Sequence, residues 1–131
     1  MVETALVLPI MMMVIMGSVE FGRAFMVSQL LTNAAREGTR MGIIPGSNTS
    51  DVVNEVQQLV TSTVGVNASN IQVTVTATDY TTGATLTDVS AAKKRDLIDV
   101  RVSVPYTAVS LMPVQWMANS NLIGQAAMRH E

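Results

Sequence analysis

The stretch Thr4-Ala-Leu-Val-Leu-Pro-Ile-Met-Met-Met-Val-Ile15, continued by Met16-Gly-Ser-Val-Glu-Phe-Gly-Arg23, decides the fold. No charge falls between Glu3 and Glu20, which leaves 16 uncharged residues, positions 4 to 19. At a helical rise of about 1.5 Å they span roughly 24 Å, a little short of a ~30 Å hydrocarbon core. Carrying the helix on through Phe21 and Phe25, with Arg23 snorkelling, makes up the difference. The core helix of a soluble domain keeps a polar face, and this stretch is apolar on every side. Residence in a membrane at some stage is the expectation. A cleavable signal peptide would begin basic and end at a small-residue cleavage site. Here the start, Met1-Val-Glu-Thr4, is acidic and the apolar run passes into further helix.

Lysine and arginine flank a membrane span on its cytoplasmic side. None precedes this span, whereas Arg23, Arg36 and Arg40 all follow it. Either the N-terminus faces outward or a basic leader precedes Met1; the export-like character of the sequence after Gly42 favours the leader. Pro9 lies inside the run, removes one helical hydrogen bond and predicts a kink or a short unwound stretch.

Beyond Arg23 the helical pattern persists, with Val27, Leu31, Ala34, Gly38 and Met41 forming one stripe. Glu20 can pair with Arg23, and Glu37 with Arg40, each three residues on. Pro45-Gly46 supplies the break, so the helix should stop between Gly42 and Gly46. Ala34, Gly38 and Gly42 recur every four residues, as do Ser18 and Gly22. Small residues so spaced let a helix approach its neighbour closely. That neighbour is either the chain's own head or another subunit, and both readings stand. A helix of roughly 40 residues is ~60 Å long. A head this small cannot bury it, so its apolar first half needs lipid or identical neighbours. The chain divides into a membrane or filament-core half, residues 1–24, and an extracytoplasmic head with the upper helix, residues 25–131.

In the head, Ser50–Val64 reads as an amphipathic helix. Ser50 or Asp51 is its N-cap, and Val53, Val56, Leu59 or Val60, and Val64 are its apolar stripe. Ile71–Ala77 alternates as a half-buried strand, and Tyr80–Arg95 is a polar hairpin connection. Leu97–Val104 alternates again, with Ile98, Val100, Val102 and Val104 inward and Pro105 ending it. A turn or short helix is expected around Pro113, anchored by Trp116, before a weaker third strand at Ile123–Arg129. The expected fold is α+β: a long N-terminal hydrophobic helix, a second short helix and a small three-stranded antiparallel sheet.

Composition narrows the function. The 131 residues support one domain, 48% hydrophobic and 14% charged, with net charge −2 and mean hydropathy +0.34. Such a balance offers no basic stripe for nucleic acid. Without cysteine there are no disulfides or thiolate sites, and His130 is the single histidine. No nucleophile–base pair, phosphate loop or metal cluster is visible, so no catalytic, metal or cofactor residue is assigned and an enzyme is not expected. Met11–Met13 with Met16 read as flexible apolar filling rather than a thioether site. Asn48-Thr-Ser50 and Asn67-Ala-Ser69 match a glycosylation pattern that arises easily by chance in a polar head. Lys93–Arg95 read as a solvated hairpin tip, Asp96 and Asp99 lack the rest of a calcium loop, and five aromatic rings are too few to carry current.

V-E-T-A-L-V-L-P at Val2–Pro9, E-F-G-R at Glu20–Arg23 and L-T-N-A-A-R-E-G at Leu31–Gly38 resemble the TadE-like family of the tight-adherence (Tad) branch of type IV pili. The closing A-x-M-R-x-E at Ala126–Glu131 looks like that family's last strand. The resemblance implies a substrate of prepilin peptidase, held in the inner membrane and then moved by the pilus assembly machinery into an extracellular filament of like subunits. Family members keep a glutamate near the cleaved glycine, thought to neutralise a neighbour's N-terminal ammonium, and Glu3 stands at the matching position. This sequence starts two residues closer to that glutamate than the usual fifth position. The residues expected to serve subunit assembly are Glu3, Pro9, Gly17, Glu20, Gly22, Arg23, Ala34 and Gly38. The alternatives are a minor pilin that primes or caps the filament, and a bitopic membrane protein whose head binds a partner without polymerising.

A carboxylate at the hydrocarbon edge is costly unless paired. Glu3→Gln and Glu3→Ala are therefore expected to lower incorporation into filaments while the head unfolds at an unchanged temperature. Normal filament yield from either variant would refute the role.

Overall fold

One helix, α1, runs unbroken from Val2 to Gly42, 41 residues with Pro9 inside. The computed structural model describes residues 1–112 and 117–131, so the expected turn at Pro113 and its anchor Trp116 lie outside the described residues. No stretch is unwound at Pro9: a proline removes one backbone bond, and the turns on either side keep the helix going. Below Glu20 the side chains of α1 are exposed, and the most apolar 18-residue window of the helix is 0% buried. Above it, Val27, Leu31, Ala34, Ala35, Gly38 and Thr39 are buried against the head. The helix ends at Gly42, and Gly46 takes a φ of +93° in the turn that follows. That conformation suits a glycine and places the break where Pro45-Gly46 predicted it.

Helix α2 spans Thr49–Val64 and buries Val52, Val56 and Val60 at four-residue spacing. The stripe enters at Val52 rather than Val53, and the N-cap is Asn48 rather than Ser50 or Asp51. Tertiary contacts explain the shift. The Thr49 N–H donates to Asp88 Oδ1 at 3.2 Å, and the Val89 N–H donates to Thr49 Oγ1 at 3.0 Å. A distant loop thus satisfies the orphan donor that a local side-chain cap would have taken. Gly65, at φ +77°, closes the helix with its N–H on Thr61 O at 3.0 Å.

The sheet is antiparallel throughout and comprises β1 (Gln72–Thr78), β2 (Thr85–Leu86), β3 (Leu97–Pro105) and β4 (Asn121–Arg129), in the order β2-β1-β3-β4. Four strands stand where three were expected, because the hairpin connection folds back on β1. Leu86 pairs with Ala77 and Thr85 with Thr78. An aspartate builds that turn: Asp79 Oδ1 accepts the Thr81 and Thr82 N–H groups at 2.7 and 3.0 Å. These N–H donors hold the Asp79 carboxyl below its ordinary 3.8, Thr82 contributing most. Asp96 is buried and accepts the Tyr80 and Lys93 N–H groups, so both its oxygens are committed to backbone. Arg95 and Arg129 lie over the Tyr80 ring, 5.4 and 5.6 Å from its centroid.

Alternation placed the inward face of β3 correctly: Ile98, Val100, Val102 and Val104 are all fully buried. The upper half of α1 lies across β3 and β4, and α2 lies beside α1 and over β1. Two contacts fix this seating. The Thr39 hydroxyl lies 2.7 Å from Ala35 O and 3.2 Å from Ala126 O on β4. At Gly124, a Cβ would overlap the backbone of Leu31 and Thr32, so helix and strand meet main chain to main chain.

Gly124→Ala must push α1 off the sheet, because backbone cannot yield as a flexible side chain can. The expected cost is about 1–3 kcal/mol, read by denaturant unfolding of the full chain in detergent. Gly17→Ala, with nothing within 4 Å of its Cβ position, is the control and should not destabilise, since alanine is the better helix former.

Candidate assembly site

The site begins where α1 leaves the head. β3 ends at Pro105, and the chain turns through Tyr106–Ala108, with the Tyr106 N–H on Ser120 O at 2.9 Å. That turn buries the Tyr106 ring and aims its hydroxyl at the helix. The hydroxyl donates to Glu20 Oε1 at 2.9 Å, and the Leu111 N–H donates to the same oxygen at 3.1 Å. Three residues along α1, Arg23 Nε donates to Val109 O at 2.6 Å. Glu20 and Arg23 therefore do not pair with each other as expected; each reaches across 86 or more positions of sequence to one head loop. The geometry favours this because a carboxylate beside hydrocarbon gains more from fixed donors than from one mobile guanidinium at a wet edge. By contrast Glu37 and Arg40 pair as expected at 3.6 Å, on the exposed face of the helix.

The other expected assembly residues fall into two sets. Glu3, Pro9, Gly17 and Gly22 are exposed on the free part of α1, and nothing approaches the Cβ positions of the two glycines. Ala34 and Gly38 are buried in the chain's own head, and a Cβ at Gly38 would overlap Val56 Cγ2. Their small size serves the packing of α1 on α2 and β3, so these two are not free to meet another subunit. Sequence reasoning missed Tyr106, Val109 and Leu111, since nothing local marks their partners. Gly124 carried a signal, because a glycine inside a strand often marks a close backbone approach.

Burial first, and then the bond and charge of Glu20, raise the Tyr106 phenol above its ordinary 10.0. The protonated phenol is the form that holds the carboxylate, so the contribution is complete below pH 10 and is lost as the pH climbs through the raised value.

The TadE-like protein family model matches residues 1–40, which is α1 almost to its end. The N-terminal segment is therefore similar to TadE-like proteins, as its motifs suggested. The α+β head lies beyond the match. No curated protein and no solved structure matches the chain.

Removing the phenol by Tyr106→Phe leaves the partly buried Glu20 carboxylate with the Leu111 N–H alone and is expected to cost about 1.5–3 kcal/mol. Hydrogen exchange at the Leu111 amide should quicken with it. Unfolding followed from pH 8 to 12 should show the variant and the parent converging at the alkaline end. A difference that stays constant across that range would reject the assignment.

Proposed function

We propose that this protein is a structural subunit of an extracellular Tad-like type IV pilus that polymerises through α1. The observation that carries this reading is the naked rod: its most apolar 18 residues are 0% buried by the chain that bears them. Such a surface is covered in one of two ways, by lipid before assembly and by copies of itself afterwards. Burial of apolar area drives the second step only if subunits gain packing that lipid cannot offer. Exposed Gly17 and Gly22 support such packing by lowering the helix wall. The clamp at Glu20, Arg23 and Tyr106 supports it by fixing the angle at which the rod leaves the head. On this reading the chain waits in the inner membrane, is processed by prepilin peptidase and is taken up by the assembly machinery. Its partners are other copies of itself.

Shearing cells and fractionating the medium tests this. The chain is expected in the sheared filaments as a repeating subunit, with the N-terminus of the mature protein preceding the apolar run. Recovery from membranes alone, never from sheared material, would give the protein to the non-polymerising alternative. Recovery at one or a few copies per filament would make it a minor pilin.

A further inference from the structure

The sheet brings separate stretches of basic sequence to one end of the head. Arg95 stands just before β3 and Arg129 ends β4, and both guanidiniums lie over the Tyr80 ring. Backbone contacts fix the meeting. The Arg95 N–H donates to His130 O at 2.6 Å, and the His130 N–H donates to Asp96 O at 2.9 Å. Arg95 holds a φ of +82°, a left-handed conformation that a residue with a side chain keeps only under constraint. Lys93 and Lys94 precede it in the same turn, so four of the chain's eight lysines and arginines share this end. Among the described residues the one ion pair is Glu37–Arg40, so none of these four has a carboxylate partner. Two nearby acids are already engaged. Asp79 accepts the Thr81 and Thr82 N–H groups, and Asp96 accepts those of Tyr80 and Lys93.

We infer that this end of the head binds a carboxylate-bearing polysaccharide, a polymer of uronic acids, through Arg95 and Arg129. Two guanidiniums held on one ring, with no carboxylate of their own, present planar forks that match carboxylates bidentately. Beside them the connecting loop exposes Thr81, Thr82, Thr85 and Thr87, whose hydroxyls both donate and accept, as those of a sugar do. Position separates this ligand from the headgroups of a bilayer around the rod. α1 climbs the sheet from Glu20, beside Tyr106, to Gly42, beside Ile98, so the basic end faces away from the exposed rod. The nine residues of β3 separate the two ends. They span about 30 Å, several times the ~8 Å screening length of physiological salt. Nucleic acid fits less well. A single strand needs open ring faces for its bases, and Tyr80 at this end already carries two guanidiniums. A duplex is held through many phosphate contacts, and four cations supply few.

Calorimetric titration of the full chain, in micelles of an uncharged detergent, with polygalacturonate tests this. Binding is expected, weakening as salt rises, with none to dextran, a neutral polymer. Arg95→Gln and Arg129→Gln should each weaken it about tenfold, the loss of one charge-assisted contact. Arg129→Lys keeps the charge without the fork and should still weaken it severalfold. Arg36→Gln, exposed on α1, is the control and should leave binding unchanged. The unfolding temperature of each variant is read alongside, and Arg129→Gln carries the test alone if Arg95→Gln folds poorly. Unchanged binding by a folded Arg129→Gln overturns the site. Full binding by Arg129→Lys, or an equal loss with Arg36→Gln, overturns it as diffuse charge attraction. Equal affinity for dextran overturns the carboxylate as the recognised group. Tighter binding of single-stranded or duplex DNA overturns it in favour of nucleic acid. None of these readings requires filaments, so each outcome is independent of the polymerising role.

Discussion

The seating of the upper half of α1 on β3 and β4 is the constraint on which the rest of the molecule depends. Gly124 brings strand main chain against the main chain of Leu31 and Thr32, and Gly38 admits Val56 and Val100 from the other side. Thr39 spans the gap with one hydroxyl shared between its own helix and Ala126. Because the helix is held so closely over these turns, its direction is set before it leaves the head. A stiff helix transmits that direction down the exposed half. The head thus works as a socket, and the rod projects from it at a fixed angle.

Where the rod emerges, the chemistry changes from apolar packing to a few strong polar contacts. Glu20 and Arg23 are bound to the loop after β3, the carboxylate to Tyr106 and Leu111 and the guanidinium to Val109. Both charges stand at the upper end of the exposed apolar run, where a charge without fixed partners is expensive once it loses hydration. Fixing them to the head settles that cost and ties the loop to the helix. Glu20 and Tyr106 also line an apolar groove beside α1, so the loop that steadies the rod also shapes the surface beside it.

Much of this was legible in residue order. The apolar run, the stop at Pro45-Gly46, the alternation in β3 and the Glu37–Arg40 pair all depend on neighbours within a turn or a strand repeat. Period and composition report such neighbours directly. Two of the readings that failed turned on distant partners. Asn48 became the cap of α2 because Asp88 reaches Thr49 from 39 residues away, and Glu20 left Arg23 for a tyrosine 86 residues on. β2 formed because an aspartate turn brought Thr85 and Leu86 back to β1.

By itself, the sequence determined that a charge-free rod precedes a small α+β head and that the rod's lower half must be covered by something other than that head. Hydrophobic periodicity and helix length are local quantities, and they suffice for that. Only the tertiary structure decided which small residues are used up inside the head and which remain open. Ala34, Gly38 and Gly124 are closed by contacts, while Gly17 and Gly22 are not. A glycine looks the same in either place, because the difference lies in what the rest of the chain brings against it.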